Sequence, residues 1–472
     1  METEPLYKKV GKIISNQIGN KTLQCGDRLP SQRQLSQQLN VSIGTVQHAY
    51  ADLDDQGLIQ PKPRSGYYVK AFNIIPIAPP ETDFFKSTPA VVNIFETGVS
   101  VMRSAANKNI IQMGSAVPDV QGRAVTQLHQ ALKRNAHKVP NYGEDPLGYL
   151  PLRRQLARRS YNTGKSCHPD EIVITSGCQE ALTIALRCIA KPGDVIAVES
   201  PCYFGMLQAL ELLELKAIEI PVSPVDGIDT VVLESVLENW PVKGIVLNPS
   251  FSNPSGYLCS DSKRREIARL ISAYDVPLIE DDVFSNLGFS GERPKTIQSY
   301  DHDGRVILCS SISKSICPDL RIGWIMPGRY TEKARKLKYI STLCAPFHPQ
   351  FALAEFLSTN RFERHLRSMA PLYQKKQGQL LNAIQHRLPE GTKATQPQGG
   401  FLCWLQLPKT INAFTLYQHA IKRGLSVLPG ELCSPSGRYK NYIRLNCAVA
   451  SAEQIDASMK TIADIINSQA EI

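Results

Sequence analysis

The apolar positions follow one rhythm at the start of the chain and another beyond it. Leu6, Val10, Ile13 and Ile14 recur at helical spacing before GNKTLQCGDRLP, residues 19–30, whose Gly, Asn, Asp and Pro content predicts a loop. SQRQLSQQLN then opens on Ser31 with Gln34 three residues later, a capping box, and places Leu35 and Leu39 on one stripe. That predicts a second helix of about ten residues. After Asn40, Val41 and Ser42, the serine caps a third helix over IGTVQHAYADLDDQG, with Val46, Tyr50 and Leu53 inward and Thr45, Gln47 and His48 outward. GLIQPKPRSGYYV adds two short strands around a Pro/Gly turn, with Lys62 and Arg64 at its tip. The spacing is that of a helix-turn-helix with a wing, although three short helices and a hairpin also build modules that never meet DNA.

From residue 71, AFNIIPIAPPETDFFKSTP carries four prolines and little periodicity, so residues 71–107 read as an extended linker. Beyond it apolar strands alternate with amphipathic helices: EIVITSG with CQEALTIALRCIA, DVIAVESP with YFGMLQALELL, KGIVLNPS with SKRREIARLISAY, then VPLIEDD and RVILCSS. This alternation predicts an α/β fold with a doubly wound, mostly parallel sheet covered on both faces. No internal repeat is visible.

Ligands of such sheets bind beyond the carboxyl ends of the strands, so the strand-exit residues carry the chemistry. Ser176, Gly177, Cys178 and Gln179 open a helix whose free N–H groups suit a phosphate. Tyr203 offers a ring to stack, Asn253 sits in a turn-forming Asn-Pro-Ser-Gly, and Glu280, Asp281 and Asp282 end one strand. Lys314 follows VILCSSIS, between Ser311 and Ser313 on one side and Arg321 on the other. Each has an ordinary alternative: core packing for Tyr203, a plain turn for Asn253, capping or solvation for the acids, a solvent-facing lysine. Their joint placement at strand exits is harder to dismiss. One ligand needing an amine, a carboxylate, an amide, a ring and a phosphate cradle is pyridoxal 5'-phosphate (PLP), whose aldehyde forms a Schiff base with a lysine.

Composition narrows this only a little. At 472 residues the chain holds two or three domains, and 53 Lys+Arg against 43 Asp+Glu leave a formal charge of +10. Residues 1–70 hold nine basic and six acidic side chains, too small a surplus for tight monomeric DNA binding, which predicts a dimer reading two half-sites. Twelve cysteines with no C-x-x-C and nine histidines with no paired spacing suggest neither metal nor disulfides. The charged N-terminus METEPLYKKV and the lack of any run near 20 apolar residues predict a cytoplasmic protein without a membrane partner.

GDRLPSQRQLSQQLNVSIGTVQHAYADLDDQGLI resembles the winged helix-turn-helix of the GntR family of bacterial repressors, over residues 5–70. The resemblance implies a double-stranded DNA operator as partner, with Arg33, Ser42, Thr45, Gln47, His48, Lys62 and Arg64 at the nucleic acid. Ile43 and Gln47 depart from the arginines common there. From about 108 to 466, SSISKSICPDLRIGW, NPSG and IEDD are similar, in order and spacing, to fold type I aminotransferases. That likeness implies a large part over about 140–340 and a smaller α+β part over about 341–472. It makes Lys314 the catalytic Schiff-base lysine and Asp281 the partner of the pyridinium nitrogen. Asn253 is assigned to the ring hydroxyl and Tyr203 to the ring face. Cys178, Gln179, Ser311, Ser313 and Arg321 go to the phosphate, joined by Tyr142 from a neighbouring subunit, and Arg444 to a carboxylate of the bound substrate or effector. A head-to-tail homodimer follows. Phe284 stands where relatives commonly carry a tyrosine.

Together the halves resemble the MocR subfamily: a regulator that senses a small amine or amino acid through aldimine chemistry at Lys314. The alternative is an active aminotransferase of amino acids with an appended DNA-binding domain.

Overall fold

The computed structural model describes the chain except residues 1–4, 20–21, 24–25, 56–57, 63–64, 70–76, 106, 108, 120–121, 141–145 and 471–472. It divides into two compact units, Met1–Ile77 and Ala78–Ile472.

The first unit contains α1 (Leu6–Gly19), α2 (Gln32–Leu39), α3 (Ile43–Asp55) and an antiparallel hairpin of β1 (Ile59–Lys62) and β2 (Gly66–Val69). The Ser31 hydroxyl accepts from the Gln34 N–H at 3.3 Å while the Gln34 side chain accepts from the Ser31 N–H at 3.0 Å. Two otherwise orphaned donors at the start of α2 are satisfied in this way. Ser42 likewise accepts from the Thr45 N–H. Val10, Ile14, Leu35, Val46, Tyr50, Leu53, Ile59 and Val69 form one core, each apolar side chain contributing roughly 1.5–3 kcal/mol by leaving water. Tyr50 keeps its hydroxyl satisfied by donating to the Pro30 carbonyl at 2.7 Å.

The second unit opens with β3 (Ala90–Val91), α4 (Phe95–Ala105) and β4 (Ile111–Gln112). The expected linker is therefore only partly extended chain. Its residues 71–76 fall outside the described set, while 78–105 pack on this unit, because the apolar side chains of α4 and the backbone of β3 find partners there.

The large sheet takes β5 (Val173–Thr175), β6 (Val195–Ser200), β7 (Lys216–Ser223), β8 (Gly227–Ile228), β9 (Val242–Leu247), β10 (Leu278–Asp281), β11 (Val306–Ser311) and β12 (Gly323–Met326). Its order is β3-β7-β6-β9-β10-β11-β12-β5, with β8 on β7. Strands β7, β6, β9, β10 and β11 pair in parallel and β12 runs against its neighbours. All six residues of β6 and all six of β11 are buried, as expected of strands covered on both faces. The parallel strands all end at one edge of the sheet. A smaller sheet follows from β13 (Lys393–Ala394), β14 (Leu402–Gln406), β16 (Leu428–Pro429) and β17 (Tyr442–Asn446), while β15 (Leu425–Ser426) pairs with β4.

Candidate functional site

The strand exits converge on a pocket lined by Cys178, Gln179, Leu182, Tyr203, Asn253, Asp281, Val283, Phe284, Ser311, Ser313, Lys314 and Arg321. The nine side chains assigned to the cofactor other than Tyr142 thus share one pocket, with Phe284 beside them. Tyr142 lies outside the described residues.

Lys314 follows β11 in a tight turn whose Ser315 carbonyl is held by His365 Nε2 at 2.8 Å. Its Nζ donates to the Ala116 carbonyl at 2.6 Å. Loss of hydration, then the positive charge of Arg444, pulls this amine from 10.5 down to about 8, against the opposing pull of Asp281. Asp281 ends β10 and is pushed up to about 7, chiefly by burial and further by Asp282. Its Oδ1 accepts from the Val283 N–H at 3.2 Å and from the Cys178 thiol at 3.6 Å. The three consecutive acids are all buried rather than solvated, because each has separate partners: Glu280 accepts the Ile297 and Gln298 N–H groups beside Arg264, and Asp282 pairs with Arg293.

Beyond β9, the Asn253 side-chain Oδ1 accepts from Arg444 Nη1 at 2.8 Å. Arg444 is 1 % exposed, its other nitrogen donates to the Gly114 carbonyl, and among the described residues no carboxylate pairs with it. Among the described residues its Nε has no hydrogen-bond partner. Burial lowers this guanidinium to about 10. A buried cation held only by neutral oxygens is poised for an anion.

The helix Cys178–Ile189 begins from Gly177, whose φ of +82° and lack of a side chain leave its first N–H groups without a side-chain cap. A Cβ on Gly177 would stand 2.3 Å from Arg321 Nη2, so only glycine lets the guanidinium lie over this helix start. Arg321 is exposed and, among the described residues, makes long contacts of 3.4–3.5 Å to Ser313 Oγ and the Ser176 and Pro318 carbonyls. Tyr203 lies half-buried at the pocket with its hydroxyl 3.4 Å from Gln179 Oε1. Phe284 packs edge-on against Phe401, 5.5 Å between centroids, so its apolar ring is part of the pocket wall.

Sequence reasoning missed the residues that hold these groups in register. Asn248 donates to the Asp281 carbonyl at 2.6 Å and accepts from the Asn253 N–H at 2.7 Å, tying two strand exits together. Glu199, pushed up to about 8 by burial, accepts from Ser252 and Tyr257 in the loop that carries Asn253. An acid inside the apolar run VIAVES and an asparagine closing GIVL were the available signals. The Gly114 and Ala116 carbonyls left none.

In the first unit, Arg33, Ser42, Gln47, His48 and Lys62 are exposed and Thr45 is partly so. Thr45 Oγ1 is tied to Ser42 Oγ at 2.8 Å, His48 stacks on Tyr7 of α1 with centroids 3.9 Å apart, and Lys62 lies over the Tyr68 ring at 4.3 Å. Arg64 lies outside the described residues.

Residues 108–462 match the family "Aminotransferase class I and II" and residues 6–69 match "Bacterial regulatory proteins, gntR family". Over 466 residues the chain is 37 % identical to YjiR of Escherichia coli (strain K12), described as an uncharacterized HTH-type transcriptional regulator, covering 98 % of each. The chain belongs to the MocR-type regulators of the GntR family. It is a DNA-binding regulator fused to an aminotransferase-type domain. The second domain alone is 31 % identical to aromatic-amino-acid aminotransferase 1 of Thermococcus litoralis, over 72 % of this chain and 83 % of that one. Its fold matches Pyrococcus horikoshii kynurenine aminotransferase, solved in complex with PMP, at a TM-score of 0.73 and 29 % identity over 79 % of this chain and 94 % of that one. Among the described residues of this MocR-type chain no helix is long and apolar enough to cross a membrane.

Proposed function

We propose that this protein is a cytoplasmic, homodimeric transcription regulator that binds an operator through its winged helix and senses a small carboxylate-bearing amine with PLP held at Lys314. The observation that carries this reading is the pairing, around one pocket, of an amine lowered to about 8 with a buried, acid-free arginine. At pH 7 an amine of pKa 8 is about 9 % neutral, against about 0.03 % at 10.5, a gain of roughly 300-fold in the nucleophilic form.

The pocket fits PLP. Gly177 opens an uncapped helix start beside Arg321, Ser311 and Ser313, which suits a phosphate, and among the described residues no cation is bonded to the Asp281 carboxyl. When bound there, the cofactor supplies an aldehyde that exchanges one amine for another and a ring that withdraws electrons. The chain's own groups do the rest. Asp281 holds a proton at the ring nitrogen, Asn253 donates to the ring hydroxyl, and Tyr203 covers the ring face. Arg444 would orient a ligand by its carboxylate through a bidentate pair, and the Lys314 amine would supply the base that holds or moves a proton there. Tyr142 from the second subunit of a head-to-tail dimer completes the phosphate contacts. Arg33, Ser42, Thr45, Gln47, His48 and Lys62 meet the DNA, joined by Arg64.

A second reading, an active aminotransferase, is favoured by the 31 % identity to a named aminotransferase. Two experiments separate the readings. Purified protein should absorb in the visible and lose that absorbance in Lys314→Ala; its persistence sinks the assignment of Lys314. Sustained turnover across amino acids with several keto acids would favour the enzyme, whereas failure to bind DNA from upstream of its own gene would remove the regulator.

A further inference from the structure

The segment just after the winged-helix unit is fastened to two different sheets. At its start the Ala78 carbonyl accepts from the Ala394 N–H at 3.1 Å, the Glu81 N–H donates to Gln406 Oε1 at 2.8 Å, and the Glu81 carboxylate meets Lys393 Nζ at 2.6 Å. The Tyr442 hydroxyl adds a long bond, 3.5 Å, to the Glu81 carbonyl. All four partners lie on or beside the small sheet. At its far end Ser87 Oγ donates to the Glu219 carbonyl at 2.6 Å and β3 pairs with β7 as the outermost strand of the large sheet. Residues 78–91 therefore span from one sheet to the other.

Midway stands Arg438. Its Nη1 is 3.4 Å from Asp83 Oδ2, its guanidinium lies 3.7 Å from the Phe85 ring centroid, and its Nε is 3.7 Å from Glu219 Oε2 without a hydrogen bond. Glu219 is fixed in turn by the hydroxyls of Ser200, Ser434 and Ser436. The clasp consists of several loose contacts rather than one tight bond, so a small displacement opens it.

The route to the pocket is a single strand. Successive alternate residues of β17 share a face, and they are Tyr442, which reaches the segment at Glu81, Arg444, which holds Asn253 and Gly114, and Asn446, whose amide donates to the Ser115 and Val117 carbonyls. A ligand that replaces a neutral oxygen at Arg444 pulls on the strand that also carries Tyr442.

We propose that residues 78–91 are a strap, clasped by Arg438, that converts occupancy of the pocket into a change of tension on the chain leading to the winged helix. This rests on the reading that the pocket takes PLP and engages Asn253 and Arg444. The winged-helix unit ends at Ile77, one residue before the strap begins, so the strap's first residues are its tether.

Hydrogen–deuterium exchange on the full-length protein tests it, stripped of PLP and then reloaded, with visible absorbance confirming loading. Exchange in residues 78–91 should differ by about threefold or more between the two states. Arg438→Gln should speed exchange there about fivefold in both states and shrink the difference to less than about twofold, leaving helix 178–189 unchanged. Asp83→Asn, on an exposed side chain, should act in the same direction if Arg438→Gln folds poorly. A loaded wild type whose strap exchanges as in the stripped protein overturns the coupling, and so does an Arg438→Gln protein that keeps the full difference. If no absorbance develops on reloading, the cofactor reading has failed instead, and the variants still report the clasp in the stripped protein.

Discussion

Gly205→Ala gives the sharpest test of how the pocket is built. A Cβ on Gly205 would lie 2.4 Å from both the Tyr203 hydroxyl and its ring carbon Cζ, where ordinary contact begins at 3.4 Å. The ring must therefore retreat by about 1 Å, or the backbone must yield, and overpacking of this kind costs about 1–3 kcal/mol. Retreat also strains the 3.4 Å bond to Gln179, whose amide is anchored on the Gly205 carbonyl at 2.8 Å. If the ring covers the cofactor, that cost falls on the bound state and weakens PLP about 5- to 150-fold. Absorbance titration of stripped protein with PLP measures this, beside a thermal melt to confirm folding. A folded variant that binds PLP within twofold of wild type, at roughly unchanged stability, would refute the assignment of Tyr203 to the ring face.

Three further outcomes are expected. The rate at which Lys314 in stripped protein is acylated should rise with pH to a midpoint near 8. Arg444→Gln should move it upward, since Arg444 lowers the amine, and Asp281→Asn should move it downward; peptide mass at residue 314 against pH decides, and shifts of the opposite sign would refute the charge arrangement. Lys338 is fully buried and bonds Glu180 at 2.8 and 3.0 Å and Thr342 at 2.7 Å, so Lys338→Met should destabilise the second unit by about 3–5 kcal/mol through the Glu180 carboxylate it leaves behind, read as a fall in the denaturant midpoint. Ser31→Ala removes one half of the capping box and should cost about 1 kcal/mol, visible as faster amide exchange in α2 with no change in the pocket's absorbance.

Much of the winged helix was legible because its signals are local. Ser31 and Gln34 lie three residues apart, and the stripe of Val46, Tyr50 and Leu53 needs only the period of one helix. The parallel strands were legible as apolar runs, but β7, with Glu219 inside it, and the antiparallel β12 were not picked out. The linker was misjudged in part for a related reason. Four prolines disfavour regular structure, but they do not say whether extended chain is free or fastened.

The sequence by itself determined which groups could act: the lysine, the acids, the asparagine and the glycine-opened helix each sit where a strand ends, and strand ends follow from local pattern. Only the tertiary structure decided which of them meet and in what electrical state. Burial, and after it the charge of Arg444, 130 residues further along the chain, lowers Lys314 to about 8, and burial raises Asp281 to about 7. Hydration and charge act through space, and distance along the chain carries no record of either.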